Sequence, residues 1–172
     1  MDELSQLLAD ARDGNQYALE LFVRATQRDV WAICRNLGDR DNAEDLTQDV
    51  YARTLRSLKT FRGEGSARNW ILSIARRTCA DSARQRQRWR RWRDDREAPD
   101  LGYEDHDQTV VDELLATLDE DRREAFVLTQ MAGCSYDDAA TILGCPVGTI
   151  RSRVARARAD LLGVVQANEE SA

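Results

Sequence analysis

From Gly144 to Arg158 the chain reads Gly-Cys-Pro-Val-Gly-Thr-Ile-Arg-Ser-Arg-Val-Ala-Arg-Ala-Arg, and no other stretch constrains the fold so tightly. Ile150, Val154, Ala157 and Leu161 recur at helical spacing as one apolar seam, which turns Thr149, Ser152, Arg153 and Arg156 to the other side. Just before it, Ser135 with Asp138 three residues on begins a helix over Tyr136–Leu143, packing through Ala139, Ala140 and Leu143. Gly144 to Val147 then makes the turn. Two short helices joined in this way form a helix-turn-helix, whose second helix offers hydroxyl and guanidinium groups suited to base edges and phosphates in a DNA major groove.

The rest of the chain agrees with a helical fold. Apolar residues are 42% of the 172, Pro occurs twice, and no Val/Ile/Thr alternation runs over any length, so the expected class is all-α. A net charge of −6 argues superficially against a nucleic-acid partner. Its distribution argues otherwise. Positive charge is almost entirely arginine, with Lys59 the only lysine, and it gathers in Arg84 to Arg96 and in Arg151 to Arg158. An acidic protein with two basic stripes binds DNA weakly alone and well beside a partner that supplies more of the electrostatics.

Cys34, Cys79, Cys134 and Cys145 have no paired C-x-x-C spacing, and the lone histidine, His106, lies in a polar stretch. Neither a metal site nor another cofactor is expected, and reduced thiols point to the cytoplasm. No apolar run approaches the ~20 residues of a membrane span, and the N-terminus lacks a signal pattern. No membrane contact is expected.

Along the chain, Leu4, Leu7, Leu8 and Ala11 mark a short helix ending near Gly14. A second helix runs from about Gln16 to Leu37, closed by Gly38. Asp41 and Glu44 have capping-box spacing and open a third helix through about Leu58, with Ala43, Leu46, Val50, Thr54 and Leu58 inward and Asp45, Gln48, Asp49, Ala52 and Arg56 outward. Lys59 to Ser66, with two glycines, reads as a loop. A fourth helix from Ser66 or Ala67 carries Trp70, Ile71, Ile74 and Ala75 inward and runs on into Arg84-Gln-Arg-Gln-Arg-Trp-Arg-Arg-Trp-Arg93. Pro99 and Gly102 among many charges mark a flexible charged linker at 94–109. Beyond it, Val110 to Leu118 forms a helix; Asp119 caps the next, with Ala125, Phe126, Leu128 and Met131 apolar and Gly133 at its end.

Four ordered motifs carry a family resemblance: Asp41 to Tyr51, Ser66 to Arg77, Gly133 to Ala140 and Pro146 to Arg153. Together they resemble the extracytoplasmic-function (ECF) sigma factors of bacterial RNA polymerase, the sigma-70 group that has regions 2 and 4 only. The resemblance covers roughly Gly14 to Ala83 and Leu114 to Leu162. It implies two small helical domains, a region 2 bundle over 1–93 and a region 4 helix-turn-helix over 110–172. It also implies a factor that binds core polymerase through the β′ and β subunits, directs it to promoter DNA and assists promoter opening.

Carried over by residue, the resemblance sets Asp45, Leu46, Gln48 and Asp49 against a β′ coiled coil, and an acidic, amide-bearing face complements a basic coiled coil. Phe61, Arg68, Asn69, Arg76 and Arg77 fall where the minus-ten element is melted and its unpaired bases captured, which requires stacking surfaces and cations. Trp70 belongs to the apolar stripe of Ile74 and is read as a core anchor. Many relatives carry Asn where this chain has Arg77. Thr149, Arg151, Ser152, Arg153 and Arg156 fall on the reader of the minus-thirty-five element. An anti-sigma factor is a further implied partner. The Arg/Trp run could face upstream DNA or polymerase, although such runs are usually just solvated.

Two other classes compete. A stand-alone helix-turn-helix repressor or activator needs a dimerisation or sensor element, and the N-terminal half shows no heptad seam or ligand motif. A DNA-processing enzyme such as a recombinase needs a nucleophile with phosphate-activating groups or a metal, and no such cluster is present. No catalytic residue is expected.

Overall fold

The computed structural model describes residues 2–63, 65–94 and 109–170, all helix and connecting turn. The linker expected at 94–109 falls almost entirely outside these residues. Helix α1 (Glu3–Arg12) is capped by Asp2, whose carboxylate accepts from the Ser5 N–H. α2 (Gln16–Leu37) begins at Asn15, whose side chain accepts from the Ala18 N–H, and stops at Gly38. Gly38 is required by close approach: a Cβ there would lie 2.4 Å from the Cys34 carbonyl oxygen and 2.5 Å from Leu46 Cδ1.

The start of α3 (Ala43–Ser57) differs from the capping box expected at Asp41. A single 3₁₀ turn over Arg40–Asn42 precedes it, and Asp39 is the cap, accepting from the Asp41 N–H at 3.3 Å. The inward set is Ala43, Leu46, Val50 and Thr54; Leu58 sits half-buried in a second 3₁₀ turn. α4 (Ala67–Asp94) is 28 residues long and buries Ala67, Ile71, Leu72, Ala75, Thr78 and Cys79. Its Ala67 N–H donates to the Ser5 hydroxyl of α1 at 3.0 Å, which ties the two helix starts together.

The C-terminal half begins with α5 (Val110–Ala116), shorter than expected and opened by a capping box between Thr109 and Asp112. α6 (Glu120–Phe126) is capped by Asp119 and widens into a π turn over Val127–Met131. That extra residue in the turn rotates the chain, burying Val127 and leaving Met131, one of the four apolar residues of the pattern, exposed. α7 (Tyr136–Leu143) is capped by Ser135 and buries Ala139 and Ile142, with Ala140 and Leu143 half-buried. Gly144 ends it in the left-handed region at φ +65°, and α8 (Val147–Glu170) follows.

α1 to α4 pack on one another, as do α5 to α8, and the two groups also pack together, α2 against the π turn and α4 against α7. The apolar core continues across that boundary, from Val30, Ile33 and Ile71 to Leu128, Ala139 and Ile150. Full burial of each Val, Ile or Leu side chain contributes about 1.5–3 kcal/mol, so the contact between the halves is part of the fold's own core.

Candidate nucleic-acid interface

The helix-turn-helix is built as local chemistry dictates. The Ser135 hydroxyl caps α7, Gly144 permits the left-handed turn, and the Pro146 carbonyl accepts the Thr149 N–H at 2.9 Å. Ile150, Val154 and Ala157 are buried, with Leu161 half-buried beside them. Arg151, Ser152 and Arg156 are exposed on the opposite side, whereas Thr149 and Arg153 are half-buried. Ser152 donates to the Thr149 carbonyl at 2.9 Å, leaving its oxygen to accept. Arg153 is committed inward, paired with Asp121 and lying 3.8 Å from Cys145 Sγ. Arg151 and Arg156 pair with nothing among the described residues.

Phe61 lies in the core at 4% exposure, its ring 5.2 Å from that of Trp70. It offers no face to a base here, because Trp70, half-buried on α4, gives the loop aromatic an apolar neighbour. Arg68, Asn69 and Arg76 line the α4 face that meets the C-terminal helices. Arg68 pairs with Asp29 at 2.7 Å, donates to the Ala132 carbonyl and reaches Cys134 Sγ at 3.6 Å. Burial alone would lower the pKa of this guanidinium; the bond to Asp29 reverses that, and the net shift is upward. Asn69 donates to Asp138 Oδ1 at 2.6 Å. Arg76 binds Glu124 through two bonds, 2.7 and 2.9 Å, which raise its own pKa. Asp112 extends the same seam, accepting from Arg35 at 3.1 Å and from Arg40 at 2.7 Å. Arg77, one position past Arg76, is exposed and without an ion pair among the described residues.

Asp45 and Gln48 are exposed on α3, Asp49 is half-buried, and Leu46, 8% exposed, turns into the core. Asp45, Leu46 and Asp49 line a shallow groove between α3 and α4 together with Arg53, Asp81 and Gln85, three residues that motif reading does not mark. Arg53 bridges the groove, bound to Asp49 at 3.0 Å and to Asp81 at 2.8 Å. Its position four residues after Asp49 is the one sequence signal for it. Asp138 and Asp112 have capping spacing to Ser135 and Thr109, but nothing local marks either of them, or Glu124, as a partner of the N-terminal half. Among the described residues no group of His, Cys, Asp or Glu is placed to hold a metal ion, and no helix is long and apolar enough to cross a membrane.

A family model for sigma-70 region 2 matches residues 22–90, and one for sigma-70, region 4 matches residues 108–161. The chain is 44% identical over 167 residues to the ECF RNA polymerase sigma factor SigC of Mycobacterium tuberculosis, covering 94% of this chain and 90% of that one. Among solved structures it is similar to CnrH in complex with the cytosolic domain of CnrY, with a TM-score of 0.77 and 28% identity over 96% of this chain and 99% of that one. It is similar as well to the sigma factor RpoE of Bartonella quintana in complex with the anti-sigma factor NepR, with a TM-score of 0.68 and 28% identity over 86% of this chain and 96% of that one. With two ordered sigma-70 regions and a full-length relative at this identity, the chain belongs to the ECF RNA polymerase sigma factors of the sigma-70 family.

Proposed function

We propose that the chain divides the work of a promoter-specificity subunit between two units. Residues 1–93 dock on core polymerase and capture the minus-ten element, and residues 110–172 read the minus-thirty-five element, joined by the linker at 94–109. Asp45, Gln48 and Asp49 meet the polymerase β′ subunit, with Leu46 holding their helix in place. Arg68, Asn69, Arg76 and Arg77 meet the minus-ten DNA, while Phe61 supports the loop from within the core. Arg151, Ser152 and Arg156 face the minus-thirty-five duplex, and Thr149 and Arg153 set the pitch of the recognition helix. The chain works in the cytoplasm and carries no catalytic group; bond formation belongs to polymerase.

One observation carries this reading. Three side chains assigned to minus-ten DNA, all on α4, are each matched in the free chain to an oxygen of the C-terminal half: the Ala132 carbonyl, Asp138 and Glu124. Groups chosen to meet phosphates and base edges find carboxylates and a carbonyl instead. The free chain is therefore closed over its minus-ten face while Arg151 and Arg156 stay open, and polymerase engagement has to part the seam. An anti-sigma factor that grips both halves would hold the closed form. The likeness of the whole chain to CnrH, solved with another protein's cytosolic domain, supports such a partner.

Capture of core polymerase by the purified chain tests the assignment. Asp45→Arg should weaken capture by about tenfold or more, the cost of an interface residue worth ~1.4 kcal/mol, and Gln48→Ala by less. Tight operator binding with no capture of polymerase would favour the stand-alone regulator instead.

A further inference from the structure

Helix α1 lies ahead of residues 22–90, which the region 2 model matches, and yet it grips the loop leading into α4 at both ends. Where the loop begins, Arg12 Nη1 donates to the Phe61 carbonyl at 3.2 Å. Where it ends, the Ser5 hydroxyl accepts from the Ala67 N–H at 3.0 Å and donates to the Asp2 carboxylate at 2.9 Å. Asp2 thereby fixes the rotation of the hydroxyl and leaves a lone pair facing α4. The Ala67 N–H is one of the first donors of α4, which find no partner within their own helix. Ser5, Leu8 and Arg12 stand at steps of three and four residues, so they share one face of α1. Leu8 is fully buried, and the two polar residues flank it about 10 Å apart along the helix axis.

The loop between these two bonds has little stiffness of its own. Gly63 and Gly65 take φ of +73° and +81°, and a Cβ on either would meet nothing within 4 Å. Glycine has more backbone freedom to lose on ordering than any other residue. Arg62, Gly63 and Gly65 are exposed, so the loop is held from its ends. At the first end Phe61 is fixed twice, by its ring against Trp70 at 5.2 Å and by its carbonyl on Arg12. At the second, Ala67 is fully buried on Ser5. A loop that must be ordered as it receives a ligand loses affinity to that ordering, and one held beforehand is spared the loss.

We propose that Ser5 and Arg12 are positioning residues for promoter recognition: α1 holds the two ends of this loop in the shape that receives an unpaired base of the minus-ten element. Neither residue needs to touch DNA, and Ser5, 1% exposed, is not placed to do so. The proposal rests on the minus-ten reading of the loop and of the first turns of α4.

The test uses polymerase holoenzyme assembled with the full chain and a promoter obtained by selection. The probe is a fork fragment, duplex upstream and single-stranded across the minus-ten non-template strand, with one abasic position at a time. Wild type should bind about tenfold more weakly when the base received by the loop is missing, within the range for one stacked base. Ser5→Ala and Arg12→Ala should each cut that penalty to about threefold or less, a surplus of affinity lost at one position only. Penalties at the other positions, and capture of core polymerase, should stay as in wild type. Arg12 is exposed, so its variant leaves the core intact and carries the test should Ser5→Ala fold poorly. Wild-type penalties at every position in both variants overturn the proposal. A uniform loss at all positions does so too, because a merely structural role would act that way. A salt slope lowered by about 0.7 in Arg12→Ala, with its penalties kept, makes Arg12 a phosphate contact and also overturns it. Absence of any sensitive position in wild type would instead remove the minus-ten reading itself, and the proposal with it.

Discussion

The closed seam predicts that a substitution in the C-terminal half will improve DNA capture by the N-terminal half. Glu124→Gln keeps the shape of the side chain and removes the charge that holds Arg76. Glu124 is only 8% exposed and Arg76 31%, and the pair is bidentate. Breaking a fully buried pair costs about 3–5 kcal/mol and losing an exposed one about 0.2–1 kcal/mol. This pair lies between those limits, so about 2 kcal/mol is the working figure, equal to roughly a 30-fold shift from closed toward open. A ligand of the open form binds with an apparent Kd equal to its intrinsic Kd divided by the open fraction. Binding of a single-stranded minus-ten oligonucleotide to the free chain, followed by fluorescence anisotropy, should therefore tighten by up to about 30-fold in Glu124→Gln, saturating once the chain is fully open. Arg76→Gln opens the same seam but removes a proposed DNA contact, so it should gain much less. Unchanged or weaker oligonucleotide binding in Glu124→Gln, with helix content intact by circular dichroism, would mean that the Arg76–Glu124 pair does not hold the chain closed.

Acid should loosen the same boundary. Asp138 is held below the ordinary carboxylate value of 3.8 by the Asn69 amide and then the Ser135 hydroxyl. Asp112, which burial alone would raise, is held below it by Thr109 and by Arg35. Carboxylates depressed in the closed form stabilise it fully above their unfolded value, and that contribution is lost as the pH falls from 3.8 through the depressed values. Energy transfer between dyes on α3 and α8 should stay constant near neutrality and drop in that acid window, with a smaller drop in Asp138→Asn; a drop near neutrality would contradict the assignment. Gly144→Ala meets no atom within 4 Å, so its cost is the left-handed backbone alone, about 1 kcal/mol, seen as a fall of about 2–4 °C in Tm. Gly144→Asn should cost less. Arg156→Ala should weaken holoenzyme binding to minus-thirty-five duplex about tenfold, whereas Arg158→Ala, whose side chain is bonded to Gln130 at 2.7 Å, should change it little.

Local chemistry made much of the fold legible. Gly38 closes α2, Ser135 and Gly144 bracket α7, and the 3.6-residue spacing of Ile150, Val154 and Ala157 tells which side of α8 is buried. Boundaries slipped where two local solutions compete. Asp39 and Asp41 both suit a cap, and the 3₁₀ turn selects the first; a π turn after Phe126 exchanges Val127 for Met131. Phe61 reads as a loop aromatic because its partner, Trp70, is itself assigned to the core by periodicity, and pairing across a Gly-rich loop leaves no pattern. The seam was not legible for the same reason. Arg68, Asn69 and Arg76 meet partners in the C-terminal half 48 to 69 positions away, and a helix period tells which side a residue is on but not what lies against it.

Transcription from a randomised promoter library by core polymerase with this chain tests two-part promoter reading most simply. Chain-dependent transcripts should come from templates enriched in two separate sequence blocks, the upstream block relaxed by Arg156→Ala and the downstream block by Asn69→Ala. Transcripts that do not depend on the chain, or a single block altered by both substitutions, would contradict it.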